Sequence, residues 1–173
     1  ISIITVSYNA GKTIEQAIRS VVCQTYDNIE YIIIDGMSTD NTVDIIKKYK
    51  NNLFYWVSEK DCGIYDAMNK GIKAAGGDYV YFLGADDCLF QKNTIQTVVD
   101  CLCDDVDVLS AGVYLVDEEL KVERYMDGSF AGEKKGFNGL MIPHQGMFVR
   151  RRLFESRQFA LRYKIASDYD IFL

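Results

Sequence analysis

Ile1-Ser2-Ile3-Ile4-Thr5-Val6-Ser7-Tyr8-Asn9 (residues 1–9) opens the chain. Its first seven residues are an almost unbroken β-branched run, the pattern of a strand covered on both faces, hence a central strand of a parallel sheet. Working outward, Thr13-Ile14-Glu15-Gln16 has the form of a capping box, and Ile14, Ala17, Ile18, Val21 and Val22 follow at helical spacing. The rhythm repeats: a helix over about 13–25, a strand at 29–34, a helix from Asp40 to Tyr49, a strand at 53–57, a helix from Ile64 to Ala75 and a strand at 79–83. Each helix must cover an apolar sheet face, so the expected fold is α/β, an open, doubly wound, mostly parallel sheet with right-handed crossovers. Beyond 87 the pattern gives a helix over 94–103 and strands near 106–111 and 113–116. Residues 117–147 then read as irregular and Gly-punctuated.

Composition sets the bounds. With 173 residues, 49% apolar and 25% charged, the chain suits a single domain and excludes collagen-like, low-complexity and disordered classes. No apolar run approaches the ~20 residues of a membrane helix. Five cysteines and one histidine favour neither a disulfide framework nor a Cys/His zinc site, and they fit a reducing cytoplasm. Tyr55 and Trp56 read as core, and Cys101 and Cys103 as packing. The net charge is −6, yet residues 121–164 carry ten basic and four acidic side chains around Arg150-Arg151-Arg152. That stretch predicts peripheral association with an anionic membrane face or a phosphate-bearing acceptor, or else a plain solvated face. Nucleic acid is a poor partner for so acidic a chain. Beginning at Ile1 and stopping within a helical pattern at Leu173, the chain reads as a C-terminally truncated fragment without a visible signal peptide.

The chemistry lies where the strands end, at Tyr8-Asn9, Asp35-Gly36, Ser58-Glu59-Lys60-Asp61 and Gly84-Ala85-Asp86-Asp87. All are carboxyl ends, and ligands of an open parallel sheet bind beyond those ends at the strand-order switch. Two adjacent carboxylates such as Asp86 and Asp87 are costly to hold together unless a cation or donors compensate them. In isolation the pair could be a solvated, helix-capping turn. At the end of the fourth strand it points to magnesium or manganese completing its shell with a diphosphate. Asp40 reads as a helix cap, which leaves Asp35 free to accept a hydrogen bond from a base or ribose. On the third helix Asp66, Asn69, Lys70 and Lys73 form a polar face.

Thr5-Val6-Ser7-Tyr8-Asn9, Asp35-Gly36-Met37-Ser38-Thr39-Asp40, Glu59 to Gly71, Gly77 to Asp87, Pro143-His144-Gln145-Gly146 and Ser167-Asp168-Tyr169-Asp170 together resemble the family-two glycosyltransferases of the GT-A fold. The resemblance spans nearly the whole chain. It implies one domain over 1–173, with 1–87 as the nucleotide-binding half and 88–173 as the acceptor-side half. It further implies transfer of a sugar from a nucleotide diphosphate donor, a UDP-sugar favoured, to a glycan or lipid-linked acceptor, with inversion and with Mg2+ or Mn2+. Carried over by position, Thr5, Tyr8 and Asp35 would hold the base, Asp61 the nucleoside, and Asp86 the ribose. Asn69 and His144 would be further substrate-binding residues. Asp87 would bind the metal, and Ala85 stands at the first position of the family's Asp-x-Asp. Asp168 would be the base, with Ser167 in place of the family's Glu and Asp170 as the alternative. Such a protein would work in the cytoplasm, at the inner face of a membrane if the acceptor is lipid-linked.

Two other readings compete. A sugar nucleotidyltransferase would need a glycine-rich, basic loop after the first strand, and Tyr8-Asn9-Ala10-Gly11-Lys12 is poor in both respects. A binding domain without turnover, derived from the same family, has no such discriminating feature.

Overall fold

The computed structural model describes residues 1–117, 121–128 and 144–162. Its six-stranded sheet has the order β3-β2-β1-β4-β8-β5. The strands are β1 (Ser2–Ser7), β2 (Glu30–Asp35), β3 (Tyr55–Ser58), β4 (Tyr79–Phe82), β5 (Val108–Ser110) and β8 (Met147–Arg150). Between β5 and β8 in the chain, β6 (Val113–Val116) and β7 (Val122–Met126) form a separate antiparallel pair. The helices are α1 (Ile14–Val22), α2 (Thr42–Lys48), α3 (Ile64–Ala74) and α4 (Thr94–Cys101).

The parallel half follows the periodicity. β1 pairs in parallel with β2 and β4, and β2 with β3, so β1 is the central strand that its β-branched run predicts. Alternation along the strands sorts their side chains to two faces. Ile3, Tyr31, Ile33, Tyr81 and Phe148 join Ile14, Ile18 and Val21 of α1, Ile45 and Ile46 of α2, and Ile95 and Val98 of α4 in one core. Ile4, Ile32, Ile34, Val80 and Val149 meet Ala67, Met68 and Ile72 of α3, with Phe154 and Phe159 closing the second. Gly71 lets α3 lie close on the sheet, since a Cβ there would fall 2.4 Å from Ile4 Cγ2.

Three local expectations change. No side-chain bond caps α1: Thr13 Oγ1 instead donates back to the Ala10 carbonyl at 3.4 Å. α2 starts two residues later than expected, and Asp40 accepts from the Thr42 N–H (3.0 Å) and hydroxyl (2.5 Å) just ahead of its first turn. Tyr55 is 43% exposed because β3 is a sheet edge, while Trp56 is partly buried against the core.

The later half departs further from the sequence reading. The span 117–147 holds β7, which β6 pairs across Tyr114–Tyr125. β8 enters antiparallel between β4 and β5, stacking Phe148 on Tyr81 with ring centroids 4.3 Å apart. All five cysteines are free and exposed, so Cys101 and Cys103 are not core packing. No helix among the described residues is long and apolar enough to cross a membrane.

At the amino end of the sheet, Glu30 ties β1, β2 and the turn before β4 together. Its Oε2 accepts from Ser2 Oγ (2.7 Å), Gly76 N (2.8 Å) and Gly77 N (2.9 Å). Burial works to raise the Glu30 pKa, but these three donors outweigh it and hold the carboxyl below its ordinary value.

Candidate active site

At the opposite, carboxyl end of the sheet, Asp35 closes β2. Its carboxylate is fully buried and accepts four hydrogen bonds: from Ser7 Oγ (3.0 Å) and Ser38 Oγ (2.5 Å) on Oδ1, and from Ser38 N (2.9 Å) and Ser58 Oγ (2.6 Å) on Oδ2. A carboxylate offers about four acceptor directions, so Asp35 is not free for a ligand in this arrangement. It binds the ends of β1, β2 and β3 into one rim. The serines were not singled out in the sequence, although a carboxylate at the end of a buried strand demands donors of this kind.

The loops beyond β1 and β2 lock to each other. Asn9 N donates to Ser38 Oγ (2.8 Å), Asn9 Oδ1 accepts from Thr39 N (2.8 Å), and Gly11 N donates to Asp40 Oδ2 (3.0 Å). Asn9 and Met37 both sit in the left-handed backbone region, at φ 51° and 61°. This is common enough for Asn and unfavourable for Met, so the paired loops hold Met37 in a conformation it would not choose alone.

Beside this rim lies a cleft of about 600 Å³ lined by Tyr8, Gly36, Met37, Lys60, Asp61 and Ile64, among others. Tyr8 is 66% exposed there. Asp61 Oδ1 accepts from Gly63 N at 2.9 Å, while its Oδ2 lies where a Cβ on Gly36 would come within 2.5 Å. Gly63 enters α3 at φ 112°, which favours glycine. Lys70, nearly two turns into α3, is held by Glu59 (2.9 Å), Asp66 (3.6 Å) and the Lys60 carbonyl (3.0 Å). The Glu59 hydrogen bond is the main cause of its raised pKa.

Two expected substrate residues do not reach this cleft. Thr5 is buried in mid-strand with Oγ1 3.1 Å from the Tyr31 hydroxyl. Asn69, rather than facing solvent with Lys70, is buried and pairs both ways with the Phe159 backbone, Nδ2 to O and N to Oδ1, each at 2.9 Å. It clamps the later chain onto α3.

Past β4 lies a second cleft, of about 300 Å³, lined by Gln16, Tyr81, Asp86, Asp87, Phe90, Tyr114 and Gln145, among others. Asp86 is exposed and Asp87 half-buried. A Cβ on Gly84 would lie 2.6 Å from Asp87 Oδ2 and 2.9 Å from Asp86 Oδ1, so both carboxylates fold back over the strand end. Behind them Tyr81 donates to the Gln145 carbonyl at 2.7 Å. Burial, with the Asp87 charge adding to it, pushes the Tyr81 phenol far above its ordinary pKa and keeps it neutral.

Paired carboxylates are hard oxygen ligands suited to Mg2+ or Mn2+. No three His, Cys, Asp or Glu side chains gather to hold a metal among the described residues. Asp86 and Asp87 could supply carboxylate oxygens to such an ion, and the rest of its shell would have to come from other oxygens.

The acidic rim thus occupies one end of the sheet but is divided between two clefts, Tyr8 and Asp61 in one and Asp86 and Asp87 in the other. Asp168 and Asp170 lie outside the described residues, and only the backbone of His144 is described, in a short turn over 144–146. The arginine triplet is engaged in holding the fold. Arg150 donates to the carbonyls of Cys103, Asp104 and Val106 and to the Tyr79 hydroxyl. Arg151 donates to the Gly77 carbonyl, and Arg152 pairs with Asp107 at 2.7 Å. Arg151 and Arg152 stay partly exposed, at 37% and 61%, as in the plain solvated face that is the alternative reading of this stretch.

Comparison with known proteins places this geometry. The family described as Glycosyl transferase family 2 matches residues 2–158. A PGL/p-HBAD biosynthesis glycosyltransferase of Mycobacterium bovis is 31% identical over 175 residues, covering 98% of this chain and 66% of its own length. Among solved structures, S. aureus TarS 1–349 in complex with UDP superposes with a TM-score of 0.78 at 23% identity, over 98% of this chain and 53% of TarS 1–349. The mannosyltransferase PcManGT of Pyrobaculum calidifontis, solved with GDP-Man and Mn2+, does so with a TM-score of 0.70 at 20% identity, over 92% and 47%. The chain thus spans just under two thirds of the mycobacterial relative's length and about half of these structures. The sheet is that of the GT-A nucleotide-sugar transferases, and the chain belongs to glycosyl transferase family 2.

Proposed function

We propose that the protein transfers a sugar from a UDP-sugar to a hydroxyl of a glycan or lipid-linked acceptor, by a single in-line displacement that inverts the anomeric carbon. The observation that carries this reading is the placement of Tyr8, Asp61, Asp86 and Asp87 on one carboxyl rim of a GT-A sheet. Tyr8 stacks on the base, and Asp61 accepts from the nucleoside. Asp86 accepts from a ribose hydroxyl, and Asp87 with the diphosphate oxygens holds Mg2+ or Mn2+. The bound ion would offset charge growing on the leaving diphosphate. Asp35 acts through the loops it fixes, keeping Tyr8 and Gly36 in place. Asp168 takes the acceptor proton as the hydroxyl attacks, and no covalent nucleophile is needed. The UDP bound to TarS and the Mn2+ bound to PcManGT support the choice of donor and metal class. A lipid-linked acceptor would bring the protein to the inner face of a membrane, guided by the substrate rather than by the Arg150–Arg152 triplet.

Titration calorimetry of the intact protein with UDP tests the proposal. Binding should be tight with Mn2+ and at least tenfold weaker in chelator. Equal affinity in both would remove the metal-held diphosphate from the account.

A further inference from the structure

An aromatic ladder that donor binding does not use runs from the second cleft, which Phe90 and Tyr114 line, out to Tyr125. Phe90 follows the carboxylate pair and is 65% exposed, Tyr114 of β6 is 41% exposed, and Tyr125 of β7 is 53% exposed. Phe90 stacks on Tyr114 with centroids 4.8 Å apart and an interplanar angle of 26°, and Tyr114 meets Tyr125 at 4.9 Å. The backbone is shaped to allow it, since a Cβ on Gly112 would run into the Tyr125 ring. Three large rings left this open forgo much of the burial that makes aromatic side chains stabilising, so the ladder suits a face that takes a ligand.

The polar groups around it say which kind. The Gln145 side-chain amide makes no hydrogen bond among the described residues. Gln16 has only a weak one, to Cys88 Sγ at 3.7 Å. A hydrocarbon ligand would leave these amides desolvated and unpaired, at a cost. A pyranose suits both features, its C–H face lying on the rings and its hydroxyls meeting the amides. At about 300 Å³ the cleft is at the small end of ligand sites, and its Asp86 and Asp87 wall belongs to the donor, so the aromatic side has room for one sugar ring at most.

We propose that the cleft between the Asp86–Phe90 loop, α1 and the β6–β7 pair is a sugar subsite. A pyranose ring of the acceptor stacks on the open face of Phe90 there, which Tyr114 backs from behind, with Gln16 and Gln145 reading its hydroxyls. Taking the ring to be the acceptor's rests on the transferase reading above; the subsite itself rests on the ladder and the amides.

Saturation-transfer NMR on the intact protein tests it, with methyl β-D-glucopyranoside, methyl β-D-galactopyranoside and methyl α-D-mannopyranoside as probes and UDP affinity measured in parallel. At least one pyranoside should receive transfer from aromatic protons. Its affinity should fall about tenfold in Phe90→Ala and in Tyr114→Ala, persist in Tyr114→Phe, and drop in Gln145→Ala. UDP affinity should stay within twofold throughout. No transfer to any probe, with or without UDP, overturns the subsite, as does unchanged binding in the two ring deletions. Binding of n-decyl phosphate on the same rings without any pyranoside overturns it in favour of a hydrocarbon. Pyranoside binding with no UDP binding would uphold the subsite and sink the donor reading, and the reverse result would do the opposite.

Discussion

Replacing Asp35 separates a residue that organises the rim from one that touches the donor. In Asp35→Ala, four donors lose their acceptor at once. The hydroxyls of Ser7, Ser38 and Ser58 can rotate toward other acceptors, but the half-buried Ser38 N–H is fixed by the backbone and loses its acceptor outright. An orphaned buried donor costs about 1–3 kcal/mol, and lost bonds to a charged acceptor about 1.5–3 kcal/mol each before rearrangement. A net loss of about 3–5 kcal/mol follows once the hydroxyls have partly recovered. Asp35→Asn is milder. With its amide nitrogen in the Oδ1 position, Ser7 and Ser38 can turn to accept, while the remaining oxygen still takes the Ser38 N–H and the Ser58 hydroxyl. That leaves a deficit of about 1–2 kcal/mol. Urea unfolding followed by circular dichroism measures both, alongside UDP affinity for the Asn variant. Two results would refute the reasoning. One is an Ala variant within about 1 kcal/mol of the parent. The other is an Asn variant of parental stability whose UDP affinity has dropped tenfold or more, because Asp35 would then face the nucleotide.

Three further outcomes are expected. Gly84→Ala puts a methyl 2.6 Å from Asp87 Oδ2, so metal-linked UDP affinity should weaken by about tenfold or more. Calorimetry with Mn2+ reads it, and parental affinity would show that the carboxylates shift at no cost. Glu30 has a native pKa below its ordinary 4.5, so its stabilising share is complete above that value and is lost as pH falls through the native pKa. Urea midpoints should therefore drop between about pH 5 and pH 3, and Glu30→Gln should flatten that drop; a parallel decline in both proteins would assign it to other carboxylates. Asp168→Asn should abolish transfer and spare UDP binding, whereas retained turnover there with loss in Asp170→Asn would move the base two residues on.

Legibility from sequence followed the range of the forces involved. β1 to β4 with α1 to α3 were readable because each strand and helix announces its buried face by local periodicity, as Ile3 and Ile4 do on opposite sides of the sheet. β8 was not: Met147-Phe148-Val149 could be seen as apolar, but its antiparallel place between β4 and β5 depends on partners more than sixty residues away for Tyr79 to Tyr81. The rim Tyr8, Asp61, Asp86 and Asp87 was legible from the strand ends alone. The reassignment of Asp35, Thr5 and Asn69 to internal contacts was not, since it turns on Ser38, Ser58, Tyr31 and Phe159 lying opposite them. Sequence marks which polar groups sit at an edge, and only the fold decides whether they point outward.

The insertion of β8 has a further consequence for synthesis on the ribosome. β5 hydrogen-bonds to β8 and has no other neighbour among the described strands, so it joins the sheet through β8 only once residues near 150 have left the exit tunnel. The strands up to β4 can assemble as soon as they emerge, leaving the outer edge of Tyr79, Val80 and Tyr81 uncovered while some seventy more residues are translated. During that interval an unpaired strand rich in tyrosine and valine is open to other nascent chains. Slowing translation after β4 should therefore lower the yield of native protein rather than raise it.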